Sequence, residues 1–182
     1  MTKAFTESVD TDEPKACNLD KVEVNMPVPF LPPSKSHTKP YTLVLDLDET
    51  LVHWTDVDSL KFLIRPGCKE FLNDVSEFYD VAIFTAGMQY YADAVLDDLD
   101  PNRVLIKHRL YRGHTTLDKD NETYIKDLSK LGRPLNKTVI VDNTPENFKH
   151  HRQNGIFIRS WYGSKDDSAL PALAQMLVRI AK

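Results

Sequence analysis

From Tyr41 onward the chain alternates unbroken apolar runs with longer stretches in which apolar residues recur every three or four positions. The run YTLVL reads as a strand buried on both faces. LKFLIRP reads as a short strand closed by proline, and PGCKEFLNDVSEF as a helix carrying Phe71, Leu72, Val75 and Phe78 on one face. YDVAIFT follows as a buried strand and MQYYADAVLDDLD as a second helix. RVLIKHRLY and ETYIKDL are shorter extended candidates, whereas KTVIVDN and NGIFIRSW have the apolar density of central strands. SALPALAQMLVRIAK closes the sequence as an amphipathic helix, with Pro171 in its first turn. This alternation predicts an open α/β sheet, mostly parallel, with helices on both faces.

Residues 1–40 have a different texture. The first 25 are polar without a sustained period, and MPVPFLPPSKSHTKP is rich in proline, which blocks helix and favours extended chain. The expected organisation is an N-terminal tail or proline-rich arm over residues 1–40 and one domain over residues 41–182. Two readings of the arm stand side by side: a linker, or an ordered strap in which Val28, Phe30 and Leu31 pack onto the domain.

Composition narrows the classes. Hydrophobic residues make up 41% of the 182, enough for a core, and the formal charge of -4 argues against bulk nucleic-acid binding. No apolar stretch approaches the length of a transmembrane segment. Cys17 and Cys68 are the only cysteines, too few for a disulfide framework or a zinc site. With no secretory signal at the start, an intracellular, reducing compartment is expected: nucleus, cytoplasm or mitochondrion. A monomer is the default expectation.

Ligands of open α/β sheets bind beyond the carboxyl ends of the strands. Three such ends are polar here: LVLDLD, VAIFTAG and VIVDN. If those strands are neighbours, Asp46, Asp48, Thr85, Asp142 and Asn143 converge. Two carboxylates about 4 Å apart repel by about 4 kcal/mol at an effective dielectric near 20, so the group calls for a cation or a retained proton. Oxygen ligands without His or Cys suit magnesium. Beside such an ion, Asp46 can attack phosphorus, and Asp48 can serve as acid and then as base. Thr85 with the backbone N–H groups of TAG can hold phosphoryl oxygens, and Lys126 and Arg112 can supply positive charge. Taken singly, each group has a plainer explanation: helix cap, turn residue or solvated charge. The conjunction carries the reading. A cysteine-based phosphatase is unsupported, since Cys68 is followed six positions later by Asp74 and Cys17 by Glu23.

The segments DLDETLVH, FTAG, YIKDLSKLG and VIVDN resemble, in order, the four signatures of the haloacid-dehalogenase superfamily in its aspartate-nucleophile branch. TLVLDLDETLVH, RPGCKEFL, VAIFTAGMQYYAD, RLYR, YIKDLSKLGRPL and VDNTPENF resemble the FCP/SCP-like, or NLI-interacting-factor-like, phosphatases. The resemblance runs from about Tyr41 to the end. It implies a haloacid-dehalogenase-like Rossmannoid three-layer sandwich, with a short flap after the first strand. It also implies a magnesium-dependent phosphatase acting on a phosphorylated protein or peptide, phosphoserine or phosphothreonine, through an aspartyl-phosphate. On this resemblance Asp46 is nucleophile and metal ligand, and Asp48 is general acid/base and a metal ligand through its backbone carbonyl. Asn143 is the remaining metal ligand, and Asp142 is a supporting acid. Thr85 and Lys126 hold the phosphate, and Arg112 lies near the phosphoserine. Apart from the resemblance, Thr50 is also expected at the substrate, and Tyr91, at the rim after the second motif, either contacts substrate or packs under its helix. Family members that read the polymerase tail carry a longer insertion after the first motif, forming a small sheet and an apolar pocket. Here the interval is only WTDVDSLKFLI, which predicts a more open site. LKFLIRPG and NGIFIRSWYGSKDDSAL also resemble the mitochondrial presequence-translocase receptor, so a peptide-binding receptor or scaffold on the same fold is the rival reading. Trp54 and Trp161 fit either the mouth of the site or the core. The run Lys149, His150, His151 and Arg152 fits a basic turn or a docking point for acidic peptides.

Overall fold

The computed structural model describes residues 26–33, 39–56, 61–120 and 122–182. The expectations for residues 1–25, including Cys17, lie outside the described residues. Strand β1 (Tyr41–Leu45) leads into a two-stranded antiparallel sheet of β2 (Val52–Asp56) and β3 (Lys61–Ile64). Helix α1 (Cys68–Ser76), β4 (Tyr79–Phe84), α2 (Gln89–Leu99) and β5 (His108–Leu110) follow. A second small antiparallel pair, β6 (Thr116–Asp118) and β7 (Thr123–Ile125), precedes β8 (Thr138–Asp142), β9 (Gly155–Phe157) and α3 (Ala169–Ala181).

The central sheet has five strands in the order β5-β4-β1-β8-β9, and every pairing in it is parallel. Alternation along the strands divides the core in two. Leu43, Leu45, Val81 and Ile83 join apolar residues of α1, α2 and α3 in the larger cluster. Val44, Phe84, Leu110 and Ile140 join Leu128, Leu131 and Phe148, which lie on short 3-10 helices. The third layer is thus built from tight turns rather than long helices.

The proline-rich arm completes that layer. Leu31 is buried in the second cluster, and Phe30 packs edge-on against Phe84. The N–H groups of Phe30 and Leu31 donate to the carbonyls of Lys130 and Leu131 at 2.8 and 3.3 Å. Gly132 has φ +73, and a side chain there would meet Pro29 at 2.5 Å, so glycine permits the close approach. The strap reading therefore holds for Phe30 and Leu31, while Val28 is exposed.

Two shorter segments depart from simple strands. RVLIKHRLY is a strand only over His108–Leu110, because the Asp100 carboxylate takes the backbone N–H groups of Val104, Leu105 and Ile106. ETYIKDL contributes β7 to the small pair instead of joining the central sheet.

Candidate active site

Because β1 lies between β4 and β8, their three carboxyl ends are adjacent. Asp46 follows β1 directly, and its N–H still donates to Val141 O at 3.0 Å. Thr85 follows β4, with its N–H on Leu110 O at 2.9 Å. Asp142 ends β8, and Asn143 follows it. Lys126 arrives from the end of β7, its N–H bound to Asn147 O at 2.7 Å. Beyond Asp48 the backbone turns sharply through Glu49 at φ 57, a left-handed conformation unusual outside glycine. That turn is pinned where the Trp161 N–H donates to Glu49 O at 2.8 Å. It brings the Thr50 hydroxyl back to Asp46 Oδ2 at 2.8 Å.

Asp46, Thr50, Lys126, Asp142 and Asn143 form one network. Lys126 Nζ donates to Asp46 Oδ1 at 2.5 Å and to Asp142 Oδ2 at 2.6 Å, with the ammonium wholly buried. One ammonium neutralises one carboxylate of the two. Burial, opposed by Lys126 and reinforced by Asp142, pushes the Asp46 carboxyl up to about 7. Burial alone would pull Lys126 down, but the two carboxylates outweigh it and hold the ammonium charged. Asn147 Nδ2 and the Thr144 N–H complete the ring around Asp142.

Asp48 sits in a second set of bonds. Its Oδ2 accepts from Thr85 Oγ1 at 3.1 Å, and its Oδ1 accepts from both Trp54 Nε1, at 3.1 Å, and the Tyr91 hydroxyl. Burial pushes its carboxyl up to about 6, against the lowering effect of the Thr85 bond. Thr85 Oγ1 also accepts the Gly87 N–H at 2.8 Å, so this hydroxyl closes the turn after β4. Arg112 reaches the same turn, donating from Nε to Ala86 O at 2.7 Å while its guanidinium lies over the Tyr124 ring. A groove of about 300 Å³ opens here, lined by Asp48, Ala86, Gly87, Met88, Tyr90, Tyr91 and Arg112.

The donor chemistry suits a small hard cation. Thr50 Oγ1 lies 2.8 Å from Asp46 Oδ2 and 3.4 Å from Asn143 Oδ1, so both oxygens face one small volume. Ser160 Oγ accepts from Asn143 Nδ2 at 3.0 Å, which turns Oδ1 inward. Among the described residues no cluster of three or more His, Cys, Asp or Glu forms a ready-made metal cage. A sparse oxygen set of this kind fits magnesium, which keeps several waters.

The expected site residues thus fall into two linked groups: Asp46, Thr50, Lys126, Asp142 and Asn143, and Asp48, Thr85 and Tyr91 with Arg112 at their edge. Trp161 is buried and structural, its indole N–H on Ser164 O at 2.7 Å. Trp54 belongs to the mouth. The short interval after the first motif still pairs as β2–β3, and it brings Trp54 over Asp48. The bond of Trp54 to Asp48 was missed in the sequence; its one signal is an indole six residues after an aspartate in the same turn-and-strand unit. In the basic run, Lys149 pairs with Asp118 and His151 with Asp127.

Comparison with known proteins adds the context. A probable C-terminal domain small phosphatase of Dictyostelium discoideum is 39% identical over 183 residues, covering 91% of this chain and 59% of the relative. The CTD nuclear envelope phosphatase 1B of Danio rerio is 38% identical over 167 residues, covering 78% of this chain and 67% of the relative. This chain spans 59%, 30% and 60% of three such curated relatives. Among solved structures, the fission yeast RNA polymerase II CTD phosphatase Fcp1, bound to beryllium fluoride, superposes with a TM-score of 0.54 at 20% identity, over 78% of this chain and 50% of that one. A haloacid dehalogenase-like hydrolase from Xanthomonas campestris superposes with a TM-score of 0.50 at 11% identity, over 79% of this chain and 98% of that one. These two likenesses establish the fold. No helix among the described residues is long and apolar enough to cross a membrane. Residues 41–182 match the family described as NLI interacting factor-like phosphatase, and the chain belongs to that family.

Proposed function

We propose that this protein is a magnesium-dependent phosphatase of phosphoserine or phosphothreonine in proteins, acting through a phosphorylated Asp46. The observation that carries the reading is the environment of Asp46: a buried carboxylate held by Lys126 and Thr50, with Asn143 Oδ1 facing the same volume. Asp46, the Asp48 carbonyl and Asn143 would hold the ion. When bound, magnesium supplies positive charge that lowers the cost of bringing a phosphate dianion against a carboxylate.

The residues divide the work. Lys126 holds Asp46 in place and keeps positive charge beneath the transferring group. An Asp46 oxygen bonds to phosphorus as the ester P–O bond breaks, and the Asp48 proton passes to the departing serine oxygen. Asp48, now a carboxylate, takes a proton from water as that water's oxygen bonds to phosphorus. The Asp46–phosphorus bond breaks and inorganic phosphate leaves. Thr85 would hold a phosphoryl oxygen, with Arg112 bound to the same turn beside it. The relatives' names, which speak of CTD phosphatases, support a protein substrate.

The test is turnover of a phosphoserine peptide and an aryl phosphate with magnesium, together with borohydride trapping of the phosphorylated aspartate. The expected product is homoserine at position 46, absent in Asp46→Asn. A chain without turnover or trapping under varied metal and pH would refute the proposal and favour the peptide-binding receptor.

A further inference from the structure

Trp54 has no place in the phosphoryl-transfer scheme, yet its indole N–H is spent on the side chain that moves the protons. Resting on the phosphatase reading, we propose that Trp54 and Tyr91 form an aromatic clamp that anchors Asp48 Oδ1 and reserves Oδ2 as the oxygen that gives and takes the proton.

The clamp is built. The Trp54 and Tyr91 rings stack with centroids 4.2 Å apart and planes 29° apart. Phe62, the cross-strand partner of Trp54 in β3, packs against it from the flap at 5.6 Å. Gly87 leaves room for Tyr91, because a Cβ there would lie 2.9 Å from Tyr91 Cε1. The flap and α2 therefore meet over one carboxylate oxygen.

The two Asp48 oxygens then differ in chemistry. An indole N–H can only donate. With the tyrosine hydroxyl on the same atom, Oδ1 is kept an acceptor, and a proton on this carboxyl belongs on Oδ2. Among the described residues Oδ2 accepts only from Thr85, whose hydroxyl has a single hydrogen to give. When that hydrogen turns to a phosphoryl oxygen, Oδ2 is released towards the ester oxygen. In the first step the Oδ2–H bond breaks, its proton goes to the leaving oxygen, and that oxygen keeps the electron pair of the broken P–O bond. In the second step water returns a proton to Oδ2. Trp54 acts throughout by positioning, without touching substrate.

The test uses leaving groups of graded basicity. Trp54→Phe keeps a ring on Tyr91 and removes the donor, and Tyr91→Phe does the same from the other side. kcat/KM is measured for a series from dinitrophenyl phosphate, whose leaving group departs without a proton, to phenyl phosphate and a phosphoserine peptide. The expected loss grows with leaving-group basicity, reaching about tenfold at the basic end, while in Trp54→Phe the inhibition constant of inorganic phosphate moves by less than about twofold. A loss of equal size across the series, or no loss, in whichever variants fold would overturn the clamp. An inactive wild type defeats the phosphatase reading and this inference together, whereas an active wild type with parallel slopes defeats this inference alone.

Discussion

Replacing Lys126 with methionine removes one charge and little volume from the centre of the site. Its ammonium lies 2.5 Å from Asp46 and 2.6 Å from Asp142. At those separations each pair attracts by roughly 6 kcal/mol at an effective dielectric near 20, and burying each ion costs several kcal/mol in return. The net value is therefore far smaller than the gross attraction, and removing one partner of a buried pair costs about 3–5 kcal/mol. For a chain of this length that lowers Tm by about 2–4 °C per kcal/mol. The loss depends on pH with a defined sign. The folded pKa of Asp46, about 7, lies above its ordinary value of 3.8. Stability linked to that proton is thus full below about pH 4 and lost as pH rises through about 7. At about pH 5 Asp46 keeps its proton in both proteins; at about pH 8 wild type has released it, whereas Lys126→Met, without the ammonium that lowers this carboxyl, must hold the proton or bury an uncompensated charge. Thermal unfolding of metal-free protein at the two pH values, wild type against variant, reads the difference. The full penalty is expected at the higher pH and about half at the lower. An equal loss at both, or a larger loss in acid, would refute this account of the buried triad.

Leu31→Ala should destabilise the protein by about 2–4 kcal/mol in urea unfolding, as expected of a buried leucine; a change under about 1 kcal/mol would mean that the strap is not part of the core. Asp80 is pushed up by burial, but His108 and Arg133 outweigh this and hold its carboxyl below the usual range. Its stabilisation is present above about pH 4 and fades as pH falls, so Asp80→Asn should lose most near neutrality and converge with wild type in acid, as measured by stability against pH. Burial pushes the Cys68 thiol up to about 12, so iodoacetamide should leave Cys68 unmodified in native protein and label it after urea unfolding, as read by peptide mapping.

The local pattern already carried most of the architecture. Continuous apolar runs marked β1, β4 and β8 because strands covered on both faces have no polar side to show. Turn chemistry marked their polar ends. The β1 turn with its carboxylate pair is one contiguous segment and the lysine motif another, so the chemistry of each could be read without coordinates. RVLI misled because a side chain, Asp100, competed for its backbone donors from outside the run. Nothing in a local window shows that competition.

By itself the sequence determined the order of the elements, the three polar strand ends and the kinds of groups they present. Only the tertiary structure decided which of those groups share an atom. Lys126 meets Asp46 across 80 positions of chain, and Tyr91 meets Asp48 across 43. It also decided that Trp54 lies on Asp48, that the proline-rich strap closes a core face, and that one ammonium serves two carboxylates. The reason is physical. Side-chain type and strand periodicity are local properties, whereas proximity depends on β1 lying between β4 and β8 and on what each neighbour leaves unburied or unpaired.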